Sequence, residues 1–359
     1  MDKKTTLEYL KDEWLLTLLL VGTLLTTIYL RRAPVYSVSD VETLFTLLVL
    51  LVLTNGLKQH RVLEKVTSWI ERGKMLPVKL VLATFVFSAL VTNDAALLAI
   101  IPITLSLQIA MKEWVVILEA LAANAGSAIS PIGNPQNIFL YWHYEISFWQ
   151  FVKVIAPFSA FFLLALFLVA AWLSTKSSTV KEINFDETIH LTAVSYFYAG
   201  ALVVFIFVIL RMLPFWLGVV ILLGVLAVEK CRLRVDYGLL ATFVLFFGLT
   251  DNIQFLFATM LAHPHHVFLL SSSLSQIISN VPAALLLADF TPHWQALLWG
   301  VSVGGFGSMV GSLANLITYR LYQKQESTEQ HFAWKFHAMS YVAFFAGWLL
   351  YGVYFRLAG

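Results

Sequence analysis

Apolar runs of roughly 17–25 residues, each long enough to carry a helix across about 30 Å of hydrocarbon, recur from residue 14 to the C-terminal end. Only short polar gaps separate them. With 59% of residues hydrophobic and 12% charged, the chain reads as an all-α integral membrane protein. The first run, WLLTLLLVGTLLTTIYL, follows a charged stretch but is too long for a signal-peptide core and lacks a small-residue cleavage site, so it reads as the first span. Cys231 is the only cysteine, which excludes an internal disulfide.

About nine full spans are expected, near 14–30, 41–57, 114–142, 149–174, 191–210, 214–229, 237–260, 294–320 and 335–357. Two apolar segments, 78–111 and 264–290, remain. Each half of the first holds only about 15 residues, short of a full crossing, so both segments read as re-entrant helical hairpins. The N-terminus is then cytoplasmic, in the cell (inner or plasma) membrane. Of the 23 Lys and Arg residues, Arg31, Arg32, Lys153, Arg211 and Arg356 fall outside and the other 18 inside, in agreement with the positive-inside rule.

The segment SAISPIGNPQNIF (127–139) sets two prolines, a glycine and two asparagines amid residues that otherwise read as buried helix. It has a counterpart. GSAISPIGNPQN from Gly126 and GGFGSMVGSLAN from Gly304 share Gly126/Gly304, Ser130/Ser308, Gly133/Gly311 and Asn137/Asn315 at identical offsets. Upstream, TNDAALL (Thr92, Asn93, Asp94) matches SNVPAALL (Ser279, Asn280) with one inserted residue. In the expected topology the two copies are inverted, and interrupted helices at matching positions of inverted repeats mark a secondary transporter's binding site. The organisation expected is a first span (1–40), a first repeat (41–174), linking scaffold helices (175–236) and a second repeat (237–359).

In hydrocarbon an unpaired backbone group costs several kcal/mol, so irregular backbone is tolerated only where protein or a wet cavity satisfies it. Pro131 and Pro135 remove donors, and Gly126 and Gly133 let the backbone turn. Asn134, Gln136 and Asn137 then offer amide oxygens to a cation or N–H groups to an anion. Ser127, Ser130, Ser308 and Ser312 add hydroxyls, and Asn315 a further amide.

At TNDAALL, NAGSAISPIGNPQN, SNVPAALL and GGFGSMVGSLAN the chain resembles the ion transporter superfamily of arsenite-pump membrane subunits, divalent-anion/sodium symporters, citrate transporters and sodium/proton antiporters. The resemblance covers roughly residues 41–357. It implies a scaffold and a moving transport domain, with two re-entrant hairpins and two broken helices meeting near the midplane. On this resemblance the hairpin tips fall on Thr92, Asn93 and Asp94 and on Ser279, Asn280 and Val281, and the unwound helices on 126–137 and 304–315. The tips read TND and SNV here, where symporters of the superfamily often read Ser-Asn-Thr.

The function expected is coupled movement of a small anion, a carboxylate or an inorganic oxyanion, with Na+ or H+ as coupling ion and no other cofactor. Asn93, Asp94, Asn137, Asn280 and Asn315 are the candidate Na+ ligands. Na+/H+ antiport and arsenite efflux are the alternatives on the same fold. Asp94, an intramembrane carboxylate, is a candidate for cation binding or proton coupling, with helix capping as the alternative. Glu119 reads as interfacial, Asp251 as a weaker candidate, Asp289 as lying at a membrane mouth, and the HPHH histidines as an exposed loop. An intramembrane serine hydrolase built on Ser308 would need a histidine base, and His337 is the nearest downstream candidate. No GxxxxGK[ST] phosphate loop occurs, so the energy comes from a gradient or from a separate ATPase subunit. The expected partners are the anion, the bilayer and a second copy in a homodimer, with no nucleic acid.

Overall fold

A computed structural model describes residues 14–67, 75–107, 109–176, 190–229, 237–257, 263–325 and 331–357, and all regular secondary structure among them is helical. The first helices are α1 (Trp14–Leu30), α2 (Val38–Gln59) and α3 (Val62–Thr67). Ser37 starts α2 with a capping box, its hydroxyl accepting from Asp40 N while Asp40 accepts from Ser37 N.

The segment 78–111 folds as two short antiparallel helices, α4 (Leu76–Leu90) and α5 (Asn93–Ser106), joined only by Val91 and Thr92. The apolar run 114–142 is not one helix but two, α6 (Lys112–Ala128) and α7 (Pro135–His143), separated by non-helical backbone at 129–134. Then come α8 (Phe148–Lys176), α9 (Ala193–Ile209), α10 (Leu217–Val228) and α11 (Tyr237–Phe257). The pattern then recurs. α12 (Pro264–Ile278) and α13 (Asn280–Ala288) meet at the single residue Ser279. α14 (Trp294–Gly304) and α15 (Leu313–Gln325) are separated by a loop holding one 3-10 turn (Met309–Gly311), and α16 (Phe332–Leu357) closes the chain. Pro77, Pro135 and Pro264 each sit in the first turn of a helix, where a missing N–H leaves no hydrogen bond unmade.

The most extensive helix contacts are α4 on α6 and α12 on α14. Small residues make the close approach possible. A Cβ on Gly126 would lie 2.2 Å from Phe85 O and 2.5 Å from Ser88 Oγ, and one on Gly304 would lie 2.5 Å from Ser275. Consequently α6 is buried on every side from Val115 to Ala128, and α14 likewise from Ala296 to Gly304. The helices after the two breaks cross over: α15 packs on α5, and α7 packs on α13.

On the outside, α8 exposes Leu164, Leu168 and Trp172, and α16 exposes Val342, Phe345 and Leu349. Among the described residues three helical stretches are long and apolar enough to cross a membrane alone: Asp40–Gln59, Phe148–Lys176 and Phe332–Phe355.

Candidate functional site at two helix breaks

Each break is held by an asparagine five residues or fewer beyond it, and the two do it the same way. Asn137 Nδ2 donates to Ser127 O (3.0 Å) and Ser130 O (2.9 Å), which the end of α6 leaves without helical partners. Asn315 Nδ2 donates to Gly305 O (2.9 Å) and Ser308 O (3.0 Å), the residues at matching offsets. Both asparagines are completely buried. Each amide thus replaces a helical N–H that the break removed.

The tips dock on the breaks, again in parallel. Asn93 N donates to Gly133 O at 3.0 Å, and Ser279 Oγ lies 3.5 Å from Gly311 O. Thr92 caps α5, its hydroxyl accepting from Ala95 N at 3.2 Å. The capping alternative for Asp94 is therefore corrected: Thr92 does that work, and Asp94 sits half-buried in the first turn, its N–H donating to Asn93 Oδ1. Ser279 carries φ +77° and ψ 157°, a region that side chains rarely adopt and that functional sites tolerate.

Within the first break, Asn134 Nδ2 donates to Ser127 Oγ at 2.6 Å and Ile132 N to Ser130 Oγ at 3.2 Å. Within the second, Ser308 Oγ accepts from Gly311 N and donates to Gln276 O, and Ser312 is buried. Ser308 is thus occupied as a cap, while His337 Nδ1 lies 2.7 Å from Ala333 O on its own helix. The two halves are tied directly by Asn124 Nδ2, which donates to Asn315 Oδ1 at 2.9 Å. The same region holds Asn280, since a Cβ on Gly305 would lie 3.1 Å from Asn280 Nδ2 and 3.4 Å from Asn124 Oδ1.

Asn124, Asn134 and Asn137 spend their amides on the nitrogen side. Asn124 Oδ1, Asn134 Oδ1, Gln136 Oε1 and Asn137 Oδ1 are buried without a hydrogen-bond partner. A buried polar atom left unmatched is rare enough to require an explanation, and a ligand or water supplies one. Four helices, α5, α7, α13 and α15, also begin at the tips and breaks, so their positive dipole ends lie beside these oxygens.

Three residues were not among the site residues read from the sequence. Gln276 clamps the second break, donating to Gly304 O (2.9 Å) and Phe306 O (3.0 Å) and accepting from Ser308 N (2.8 Å). Its counterpart at the tip offset is Ala89, so the repeat carried no signal for it. Asn124 could have been found, since Ser302 is its polar match at the offset of the break motif. Glu119 is the third. It is wholly enclosed by protein, at 0% exposure, where Thr104 Oγ1 donates to Oε1. Asp251 is accounted for structurally, by an ion pair with Arg32 and a 3.0 Å hydrogen bond from Val35 N. Asp289 pairs with His143 at 3.5 Å. His263, His265 and His266 are exposed at the start of α12, and no cluster of metal-binding side chains occurs among the described residues.

A profile of the citrate transporter family matches residues 13–304. The chain belongs to that family. An uncharacterized transporter of Methanocaldococcus jannaschii is 32% identical over 298 residues, covering 80% of this chain and 82% of the relative. The inner membrane protein YbiR of Escherichia coli is 31% identical over 323 residues, 84% of each chain. A silicon efflux transporter of rice (Oryza sativa subsp. japonica) is 32% identical over 130 residues, 34% of this chain and 27% of its own. This citrate transporter family member is a multi-pass membrane transport protein, and its exposed apolar outer helices meet lipid.

Proposed function

We propose that the protein is a secondary active transporter that moves a small anion, a carboxylate or an inorganic oxyanion, by alternating access driven by a Na+ or H+ gradient. The observation that carries this reading is the duplicated break: two asparagine-held interruptions, each touched by a helix tip, with unpartnered amide oxygens and four helix N-termini gathered around them. The N-termini and hydroxyls favour an anion without a salt bridge, and the neutral oxygens favour a cation beside it. Na+ would take its ligands from Asn93, Asp94, Asn137, Asn280 and Asn315; among the four amide oxygens that of Asn137 is buried without a hydrogen-bond partner, while Asn93, Asn280 and Asn315 each accept one bond and keep a second lone pair.

In this reading residues 41–174 and 237–359 are inverted repeats, α4/α5 and α12/α13 are re-entrant hairpins, and nine spans cross with the N-terminus cytoplasmic. Polar contacts between helix ends support the pairing of sides. His60 meets Glu229, Glu113 meets Lys335, His143 meets Asp289 and Arg211 meets Trp142 O, and each pair joins residues assigned to one side. Residues 1–40 and 175–236 complete the scaffold, and a homodimer is expected through it.

The second reading is efflux of an inorganic oxyacid, favoured by the silicon efflux relative and by a Dictyostelium discoideum protein named putative transporter arsB, 29% identical over 128 residues. Reconstitution in liposomes distinguishes them. Uptake of labelled citrate, succinate or sulfate that collapses with the imposed gradient supports the first reading, and movement of arsenite or silicic acid alone supports the second. A dye response to Na+ with no anion movement means cation/proton antiport instead.

A further inference from the structure

Glu119 lies in the middle of the most buried helix of the protein, and the site described above does not use it. Its Oε1 accepts from Thr104 Oγ1, and its Oε2 is buried with no hydrogen-bond partner. The ionisable described side chains on helices packed against α6 are Lys79 on α4, Asp94 on α5, Lys153 and Lys176 on α8, Arg320, Lys324 and two tyrosines (Tyr319, Tyr322) on α15, and Lys335, His337 and three tyrosines (Tyr341, Tyr351, Tyr354) on α16; α14 carries none. Among the described residues Glu119 forms an ion pair with none of them, nor with Lys112, which donates to Leu105 O, or with His337, which faces Ala333 O. A buried carboxylate that lacks a counter-ion relieves its desolvation by taking a proton.

Thr104 gives this group something to act on. Its one hydroxyl proton has two acceptors in reach, Glu119 Oε1 on α6 and Ile100 O, 3.4 Å away on α5 itself. A charged carboxylate wins that proton over a neutral carbonyl, because charge-assisted hydrogen bonds are the stronger. Pro102, between Ile100 and Thr104, removes a donor from α5 and makes this turn the easiest place for the helix to bend.

We propose that Glu119 is a proton-binding site, and that its charge state decides whether Thr104 ties the arm α5 to the core helix α6. In the charged state the hydroxyl bridges the two helices. When Oε2 takes a proton from water the acid is neutral, the hydroxyl turns to Ile100 O, and α5 is released; loss of the proton to water restores the bridge. As a coupling device this rests on the transporter reading, naming H+ as the ion and Glu119 as its carrier.

The test is infrared titration of the purified full-length protein, wild type against Glu119→Gln, Glu119→Asp and Asp94→Asn, beside uptake of labelled citrate and arsenite by proteoliposomes under a pH gradient. The expected result is a buried protonated-carboxyl band that Glu119→Gln abolishes, Glu119→Asp displaces and Asp94→Asn keeps, with loss of pH-gradient-driven uptake in Glu119→Gln. A band that persists in Glu119→Gln, or pH-driven uptake unchanged in that variant, overturns the proposal. Should wild-type vesicles take up no anion under any gradient, the transporter reading fails, and the infrared comparison still decides whether Glu119 binds the proton.

Discussion

Asn124 and Asn315, 191 residues apart, share a 2.9 Å hydrogen bond in which the amide before the first break donates to the amide that holds the second. Asn315 thereby has both amide atoms engaged, its nitrogen serving Gly305 O and Ser308 O with both of its protons. The two residues carry unequal burdens. Asn315→Ala removes the side-chain donor from Gly305 O and Ser308 O and the acceptor from Asn124 Nδ2, which keeps Ala120 O, and is expected to cost about 2–3 kcal/mol, against about 1 kcal/mol for Asn124→Ala. Thermal unfolding in detergent checks the order, and a double-mutant cycle isolates the shared bond. Equal losses would mean that the backbone finds other partners at the break.

Gln276 predicts a second inequality. Gln276→Leu keeps the volume but removes two donors and an acceptor from the loop 304–308, so a loss of about 3 kcal/mol is expected. Gln276→Glu keeps the acceptor for Ser308 N but sets a carboxylate oxygen against Gly304 O and Phe306 O, and is expected to cost at least as much. Unfolding midpoints of the two variants test this.

Ser279 holds strain. At φ +77° a glycine adopts the backbone freely, so Ser279→Gly is expected to raise stability by about 1 kcal/mol while removing the hydroxyl near Gly311 O. Ser279→Ala keeps the strain and loses the same hydroxyl. Comparing their unfolding midpoints with their uptake rates separates conformation from contact: a rate lost equally in both variants assigns the role to the hydroxyl.

Gly126 and Gly304 predict intolerance to one methyl group. Alanine at either would drive a Cβ to within 2.5 Å of the facing helix, so α4 must part from α6, or α12 from α14, at about 1–3 kcal/mol. Gly352, which meets nothing within 4 Å, should accept alanine with an effect under about 0.5 kcal/mol.

Asp94 and Asp251 should behave differently. Asp251→Asn loosens the tie to Arg32 and is expected to lower stability, leaving the ion dependence of uptake as it was. Asp94→Asn, at a helix tip that touches a break, is expected to change the Na+ or pH dependence. Initial uptake rates against Na+ concentration and pH check both. An unchanged dependence in Asp94→Asn removes that residue from coupling.

The amino-acid sequence by itself determined where the helices stop. Proline, glycine and asparagine act on their own backbone, so the interruptions near 129–134 and 305–312 and the matching of Asn137 with Asn315 could be read from spacing, while the turns at Thr92 and Ser279 were implied by the family resemblance. Only the tertiary structure decided what those residues meet. Glu119 reads as interfacial because it stands seven residues from Lys112 at the start of its helix. Six helices packing around α6 bury it, and no local pattern encodes how many faces of a helix its neighbours will cover. The Asn124–Asn315 bond, the Gln276 clamp and the Arg32–Asp251 pair are likewise products of packing between distant segments. A side chain's partner is fixed by which helices lie side by side, and that is settled by the close approaches at Gly126 and Gly304 together with the crossing of α7 and α15 into the opposite half.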